Sequence, residues 1–363
     1  MINLQRRQFL QLALLTAASV NFGWPNFSRA NKRKGTLIWL ELRGGNDGLN
    51  TVIPYKDETY QLLRPNLRIE DGIPISNELA FHPALAGLLP LWEAKQLSLA
   101  LGVGWPEPNR SHFKATDQWA TASKDGEGIG WLAKAMDNQN LKYPLIGLGP
   151  TGSRAMDGGK SIALQFSKAD LKKNTSSSKE IDDLFLQRPL LKKLLSLEKR
   201  SLEALSQLKK ELPQLPKNLD LPRNSLGKQF ALALQLVGSL NPPPFIQMEH
   251  SGYDTHINQK QRHGILLRQL ADGLVAFHTG LKAFPRRSAV TILITSEFGR
   301  RLAQNGSGGT DHGSASTSIL IGDQLSNSIF GKYPSLKNLD NRGDLISNLA
   351  PPDLYQIAIN STN

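Results

Sequence analysis

The chain has 363 residues, a formal net charge of +12 and no cysteine. The absence of cysteine excludes disulfide bonds, thiolate zinc sites and thiol nucleophiles. The basic excess suggests nucleic acid as a partner, but the sequence has no basic patch interleaved with aromatic residues and no known nucleic-acid-binding module. We therefore expect no nucleic-acid partner.

The first thirty residues have the pattern of an export signal. Residues 6–10 read RRQFL, a short apolar run spans 12–20, and SRA at 28–30 offers small residues at the −3 and −1 positions of a cleavage site. The run is too short for a permanent membrane span, and adjacent arginines are typical of the twin-arginine route. The alternative, an amphipathic first helix, is disfavoured because residues 1–30 contain no acidic residue.

We therefore predict that residues 1–30 are a twin-arginine signal peptide and that residues 31–363 form the exported domain. The twin-arginine translocation machinery is then a partner, and the protein is periplasmic or secreted. No other stretch of the sequence is long and apolar enough to span a membrane.

Beyond the signal, short apolar runs bounded by glycine alternate with helical patterns. The predicted strands are 36–42, 97–103, 145–148, 244–248, 289–295 and 317–321. The predicted helices are 82–95, 112–121, 129–138 and 257–284. This alternation predicts an α/β fold with a mostly parallel central sheet flanked by helices on both faces.

A lysine-rich segment interrupts the alternation. Between residues 178 and 212, leucine recurs at helical spacing with Lys and Glu between, Pro189 breaks the pattern, and further prolines follow it. The pattern predicts a helical insertion at about 168–222. It is either a set of exposed amphipathic helices or a lid over a site.

Polar side chains follow several predicted strands, where open α/β sheets bind their ligands. The segments at these positions are RGGNDG (43–48), NRSH (109–112), HSGYDTH (250–256), SEFGR (296–300) and TDHG (310–313). We expect these loops to form one site.

Carboxylate and imidazole side chains in these loops predict a site for a divalent metal. The candidate ligands are Asp47, Asp254, His256, Glu297 and His312. This mixture suits zinc, manganese or iron better than calcium or copper. Three alternatives remain: Asp47 caps a turn, Asp254 and His256 form a structural hydrogen-bond pair, or Glu297 forms an ion pair with Arg300 or Arg301.

Four further residues are candidates for contact with a substrate. Ser111 is a candidate nucleophile or, alternatively, only a helix N-cap, and His112 follows it in the first turn. Arg43 and Arg300 are candidates to clamp an anionic substrate. Asp311 is a candidate to orient the ring of a ligating histidine.

Several ordered motifs resemble one bacterial family. They are LRGGNDGLNTVIPY (42–55), FHPALAGLLPLWEAKQLSLALGVG (81–104), NRSHFKATDQW (109–119), GYDTHINQ (252–259), SEFGRR (296–301) and NGSGGTDHG (305–313). Over roughly residues 36–335 the chain resembles the family named domain of unknown function 1501, whose members are typically exported by the twin-arginine route. That family is similar to the alkaline phosphatase superfamily, so the resemblance implies an alkaline phosphatase-like fold and a metal-dependent hydrolase ancestry.

The resemblance also implies roles for single residues. Asp47 takes the place of the metal-bridging aspartate, Ser111 that of the nucleophile, and Asp254, His256 and His312 those of the ligands of one metal. Where the superfamily has an Asp-His pair, this chain has Glu297 followed by phenylalanine. The resemblance implies one or two bound metal ions, and the site of the second ion lacks a histidine ligand. A formylglycine sulfatase is disfavoured, because the chain has no cysteine. The segment 343–363 also departs from the usual ending of the family, so the resemblance does not predict whether a final helix forms there.

The sequence thus predicts an exported metal-dependent hydrolase of phosphate or sulfate esters. The alternative is a catalytically silent periplasmic or surface protein of the same fold that binds a partner such as an anionic glycan.

Overall fold

The computed structural model describes residues 35–139, 143–167, 169–172, 189–285, 288–325 and 329–362. The predicted signal peptide lies outside these residues and stays a prediction, as does export by the twin-arginine route. Within the described residues, none of the helices combines the length and hydropathy needed to cross a bilayer.

Eleven strands are found in the described part of the chain. In chain order they are β1 (Gly35–Arg43), β2 (Val52–Ile53), β3 (Ile73–Pro74), β4 (Ala80–Phe81), β5 (Leu97–Val103), β6 (Leu145–Gly147), β7 (Ala163–Gln165), β8 (Phe245–Ser251), β9 (Ala289–Thr295), β10 (Ser316–Gly322) and β11 (Ile329–Gly331). Eight of them form one sheet in the order β11-β5-β10-β9-β1-β8-β6-β7, and β2, β4 and β3 form a small second sheet.

In the large sheet, β10 is antiparallel to both of its neighbours and every other pair is parallel. The predicted mostly parallel sheet is therefore confirmed. Each of the six strands predicted from the sequence overlaps an observed strand, because a strand buried on both faces is a short apolar run that turn residues delimit.

The described α-helices connect and cover these strands. They are α1 (Gly48–Thr51), α2 (Glu58–Leu63), α3 (Leu89–Glu93), α4 (His112–Thr121), α5 (Trp131–Asn138), α6 (Pro189–Glu211), α7 (Ser225–Val237), α8 (Gln259–Leu281) and α9 (Pro351–Asn360). The predicted helix 112–121 coincides with α4, and 257–284 contains α8. The predicted helix 82–95 is divided into a 3₁₀ helix, Pro83–Leu88, and α3. Pro90 lacks the N–H that one continuous α-helix would need there.

The central strand β1 shows how both faces of the sheet are covered. Successive side chains on a strand point to opposite faces. Ile38 and Leu40 belong to the core that includes α7 and α8, whereas Leu37 and Trp39 belong to the core that includes α4, α5 and α9. Helices therefore flank both faces, as predicted.

The lysine-rich segment is described only in part. Its second half is α6, on which Ala204 and Leu208 are buried in the same core as Leu164. This helix therefore packs on the domain with one side. Residues 173–188 lie outside the described part, so the helical insertion stays a prediction.

A buried histidine links α8 to the loop after β1. His263 is 1% exposed, and its Nε2 lies 2.9 Å from Asn46 Oδ1. Burial lowers the pKa of His263 to about 3, and it lowers the pKa of the neighbouring His82 to about 4. The folded protein therefore keeps both rings neutral in mild acid.

We predict that His263 makes the fold sensitive to acid. In the unfolded chain a histidine titrates near pH 6.5, so below that pH the unfolded state binds more protons and the free energy of unfolding falls. His263 accounts for about 2 kcal/mol of this loss between pH 6.5 and 4.5.

The variant His263→Gln keeps a donor for Asn46 but does not titrate, so its Tm should fall less than that of the wild type between pH 6.5 and 4.5. Thermal unfolding followed by circular dichroism measures this difference. The interval from about pH 7.5 to 8.5, where His263 is neutral in both states, is the internal control. Equal acid sensitivity of the two proteins would contradict the prediction.

Candidate metal centre

The predicted site loops meet at one edge of the sheet. The neighbouring strands β9, β1 and β8 are parallel, and β5 runs in the same direction because β10 is antiparallel to both β9 and β5. The loops that follow these four strands therefore leave the sheet at the same edge.

Two glycines let the β1 loop approach the β8 loop closely. Gly44 and Gly45 have φ angles of 118° and 72°, which favour glycine. A Cβ atom at Gly44 would overlap the backbone of Asp254. The tight turn also directs the Gly44 N–H toward Glu297 Oε1, at 2.8 Å.

The Asp254 carboxylate is the centre of the site. Its Oδ1 lies 3.0 Å from His256 Nε2 and 3.1 Å from His312 Nε2, and these two nitrogens are 2.9 Å apart. Its Oδ2 lies 3.5 Å from His112 Nε2. His112, Asp254 and His312 each offer a ligand atom within 4.8 Å of the other two. The structure thus brings four predicted site residues together.

Outer hydrogen bonds fix the orientation of two of the rings. His312 Nδ1 lies 2.8 Å from the Arg110 carbonyl oxygen, which can only accept, so this nitrogen carries the proton. His112 Nδ1 donates to Glu297 Oε1 at 2.9 Å, and this bond raises the pKa of His112. In the neutral rings, both Nε2 lone pairs therefore face Asp254.

The third ring is oriented in the same way. His256 Nδ1 lies 3.4 Å from Asp311 Oδ1, and a proton on that nitrogen leaves the Nε2 lone pair facing inward. Asp311 thus takes the position that was expected of a carboxylate orienting a site histidine.

A buried ion pair with Arg300 holds the Asp254 carboxylate in place. The Arg300 side chain is 0% exposed, and one of its terminal nitrogens (NH2) lies 2.7 Å from Asp254 Oδ1. Burial acts to raise the pKa of Asp254, but the hydrogen bond and the positive charge of Arg300 act against it, and the pKa is lowered to about 2. The carboxylate is therefore ionised at neutral pH.

The remaining guanidinium donors of Arg300 reach backbone carbonyls of Gly44, Gly45, Tyr253 and Thr310. This geometry differs from the predicted clamp on a substrate, because the guanidinium has no exposed surface. Arg300 instead ties three loops of the site together.

The Glu297 carboxylate does not belong to the donor atoms that converge at Asp254. Its Oε1 accepts from Gly44 N and His112 Nδ1, and its Oε2 accepts from Ser296 Oγ at 3.1 Å. Burial acts to raise the pKa of Glu297, but the hydrogen bond from His112 outweighs it and the pKa is lowered. In this geometry Glu297 orients His112 and does not face the other donors. The structure shows neither of the ion pairs with arginine weighed above.

The structure does not bring Asp47 into this group either. Asp47 is 1% exposed, its Oδ1 accepts from Leu49 N and Asn50 N at the start of α1, and its Oδ2 lies 2.6 Å from a terminal nitrogen (NH1) of Arg64. Burial acts to raise the pKa of Asp47, but the Arg64 charge outweighs it and lowers the pKa. The geometry is that of the turn cap considered as the alternative.

Arg43 faces two carboxylates that sequence reasoning missed. Its Nε lies 3.1 Å from Glu249 Oε2, and its NH2 nitrogen lies 3.5 Å from Glu41 Oε1. Both glutamates are buried, and burial raises the pKa of Glu41 to about 7. They occupy paired positions on β1 and β8. The only signal in the sequence was a polar residue inside the predicted strand 36–42 for Glu41, and one directly after the predicted strand 244–248 for Glu249.

Ser111 precedes α4 and is exposed, and its side chain makes no capping hydrogen bond. Its hydroxyl is thus available beside His112, at the N-terminus of a ten-residue helix.

We predict that Asp47 stabilises the fold and does not bind metal. Asp47→Ala leaves the Arg64 charge buried without a partner, which should lower the free energy of unfolding by about 4 kcal/mol. Asp57→Ala is the matched control, because Asp57 caps α2 in the same way and no ion pair of its side chain is found among the described residues. It should lower the free energy of unfolding by about 1 kcal/mol.

Urea unfolding measures both losses, and atomic absorption measures the metal content of the folded proteins. Loss of metal in Asp47→Ala with unchanged stability would show that Asp47 is a ligand after all.

Among solved structures, the chain is similar to proteins of low sequence identity. One is the C-terminal periplasmic domain of EcEptC from Escherichia coli in complex with Zn, with 11% identity, a TM-score of 0.42, and coverage of 92% of this chain and 83% of that chain. Another is the alkaline phosphatase of the Antarctic bacterium TAB5, with 10% identity, a TM-score of 0.39, and coverage of 91% and 99%. A third is an alkaline phosphatase superfamily protein from Vibrio parahaemolyticus, with 10% identity, a TM-score of 0.35, and coverage of 90% and 71%. Nothing about activity follows from these similarities.

A comparison with curated proteins gives no match. The model of a family described as "Protein of unknown function (DUF1501)" matches residues 92–349. That range is well over half of the chain and includes every loop of the site except the one after β1. The chain therefore belongs to the DUF1501 family.

Proposed function

We propose that the protein is a metal-dependent hydrolase of phosphate or sulfate esters that acts outside the cytoplasm. The observation that carries this proposal is the convergence of His256 Nε2, His312 Nε2 and Asp254 Oδ1, all within 3.1 Å of one another. The N-terminal signal pattern supports the location.

The donor set fits a divalent cation. Three atoms that offer lone pairs repel one another at such distances unless a positive charge lies among them. His112 Nε2 is also buried without a hydrogen-bond partner, and it faces the other oxygen of the same carboxylate. Imidazole with carboxylate is the ligand chemistry of zinc, manganese or iron.

One ion fits this geometry better than two. The oxygens of Glu297 are engaged by Gly44, His112 and Ser296, and those of Asp47 are engaged by the start of α1 and by Arg64. The residues expected to hold a second ion are therefore already committed to other partners.

When bound, the ion polarises the ester and favours an ionised nucleophile. Ser111 supplies an exposed hydroxyl, and the free N–H groups in the first turn of α4 stabilise negative charge beside it. Attack by Ser111 on phosphorus or sulfur breaks the bond to the ester oxygen, and the alcohol leaves with a proton. Water then cleaves the serine ester and releases phosphate or sulfate.

Glu297 and Asp311 keep the histidine protons on the outer nitrogens, so that the inner nitrogens stay available. Arg300 keeps Asp254 ionised and aimed at the same point. These side chains position the donors, whereas Ser111 is the proposed nucleophile and His112 presents its Nε2 to Asp254.

We predict that the protein binds about one equivalent of metal through Asp254 and that its esterase activity depends on this metal. Asp254→Asn should lose both. The matched control Asp272→Asn, an exposed aspartate on α8, should keep both. Metal analysis of the folded protein and assays with a panel of phosphate and sulfate esters give the readouts.

Asp254→Asn also removes the charge that balances Arg300, so thermal unfolding must show that the variant is folded. His256→Gln is the second variant, because it removes a donor and leaves the Arg300–Asp254 pair in place. Metal bound at about one equivalent with no turnover of any ester would refute the hydrolase proposal. Metal content unchanged in both variants would refute the metal site.

We predict that Glu297 acts on metal affinity without being a ligand. Glu297→Gln keeps an oxygen that accepts from His112 but removes the charge, so the affinity should fall by about 10- to 100-fold while saturating metal still fills the site. Competition with a chromophoric chelator measures this change. The exposed Glu70→Gln is the control. A site that stays empty at saturating metal would place Glu297 among the ligands.

A further inference from the structure

One buried carboxylate of the C-terminal segment contacts two loops of the site. The side chain of Asp344 is 0% exposed, and its Oδ2 accepts from a terminal nitrogen (NH2) of Arg110, in the loop before α4. Its Oδ1 lies 3.5 Å from Arg301 Nε, in the segment after β9, and has no hydrogen-bond partner among the described residues. A carboxylate is buried at such a cost only where positive charges compensate it.

A tight turn presents this carboxylate to the two arginines. The Asp344 N–H donates to Asp340 Oδ1 at 2.8 Å, and the Asp340 N–H donates to the Asp344 carbonyl oxygen at 2.9 Å. Gly343, between them, has a φ of 78°, in the left-handed region that favours glycine. The backbone of the turn therefore fixes where the Asp344 side chain begins.

Both arginines continue to the loop that carries His312. The Arg110 carbonyl oxygen lies 2.8 Å from His312 Nδ1, and the Arg301 N–H donates to the Asp311 carbonyl oxygen at 3.0 Å. The charge of Asp344 is thus linked through a single residue to each of two neighbouring positions of this loop.

Two acceptors compete for the ring proton of His312. The Arg110 carbonyl oxygen lies 2.8 Å from Nδ1, whereas Asp254 Oδ1 lies 3.1 Å from Nε2. While the carbonyl stays in place, the proton is on Nδ1 and the Nε2 lone pair is available to a metal. If the carbonyl withdraws, the proton moves to Nε2, where Asp254 accepts it. A metal must then displace that proton before it binds.

We propose that Asp344 is a positioning residue of the metal centre: through the Arg110 side chain it holds the carbonyl that keeps the His312 proton on the outer nitrogen. The inference rests on the metal centre of the proposed function and not on the reaction catalysed there. The Arg110 side chain is 29% exposed, so without its partner it turns toward water and its backbone is no longer held.

The first test is the metal affinity of Asp344→Asn, which keeps the shape of the side chain and removes its charge. The affinity should fall by about 10-fold, as is usual when a group that orients a ligand is lost. Competition with a chromophoric chelator measures it. Asp353→Asn, at an exposed aspartate of the same segment, is the matched control and should bind metal as the wild type does.

A double-mutant cycle separates this pair from a general loss of stability. Arg110→Ala removes the side chain but keeps the backbone carbonyl, so it should lower the affinity by the same factor as Asp344→Asn. The double variant should then show no further loss. Losses that multiply in the double variant would overturn the proposal, because the two residues would act separately.

A second measurement needs neither metal nor turnover. Burial lowers the pKa of His312, so its ring is neutral at about pH 8. Long-range ¹H–¹⁵N spectra of the metal-free protein, labelled at histidine, should show the His312 proton on Nδ1 in the wild type and in Asp353→Asn. In Asp344→Asn the population with the proton on Nε2 should rise.

The two measurements distinguish failure of this inference from failure of the proposed function. If the wild type binds no metal, the proposed function fails and the spectra alone decide the role of Asp344. If the wild type binds metal, an unchanged affinity or an unchanged position of the His312 proton in Asp344→Asn would overturn the role of Asp344 and leave the metal site untouched.

Discussion

The buried guanidinium of Arg300 is the interaction on which the arrangement of this site depends. A charge without contact with water is tolerated only when its donors are satisfied and a counter-charge is present. Carbonyls of Gly44, Gly45 and Thr310, on two different loops, meet the first requirement, and Asp254 on a third loop meets the second. Any loop that moved away would leave part of this charge unpaired. The loops and the carboxylate therefore hold one another in place.

The histidines around Asp254 are oriented by a different principle. Each outer partner is an oxygen that can only accept: the Arg110 carbonyl, the Glu297 carboxylate or the Asp311 carboxylate. Such partners draw the ring protons outward and leave lone pairs pointing inward. The orienting oxygens come from the loop after β5, the end of β9 and the loop before β10. The centre is thus a property of the tertiary fold.

Much of the fold could be predicted from the sequence, because a buried strand leaves a local trace in an apolar run between turn residues. The site loops could also be predicted, since parallel strands end at one edge. The sequence did not predict which of the site residues is a ligand, which caps a helix and which orients a histidine ring. Asp47 in a glycine-rich turn reads equally as a ligand or a cap, and its partner Arg64 lies 17 residues away. The direction of the His112 ring depends on Glu297, which lies 185 residues away.

The four consecutive residues 110–113 show how the position at which α4 begins determines which side chains reach the site. The Arg110 carbonyl orients His312 while its guanidinium pairs with the buried Asp344 of the C-terminal segment. Ser111 directly precedes α4, and the next two residues present a donor to the centre and an apolar ring to solvent. Because the helix turns each residue by about 100°, a shift of one position would exchange these directions. The point where α4 begins therefore decides which side chain reaches Asp254, and the ion pair with Asp344 anchors the loop that leads into it.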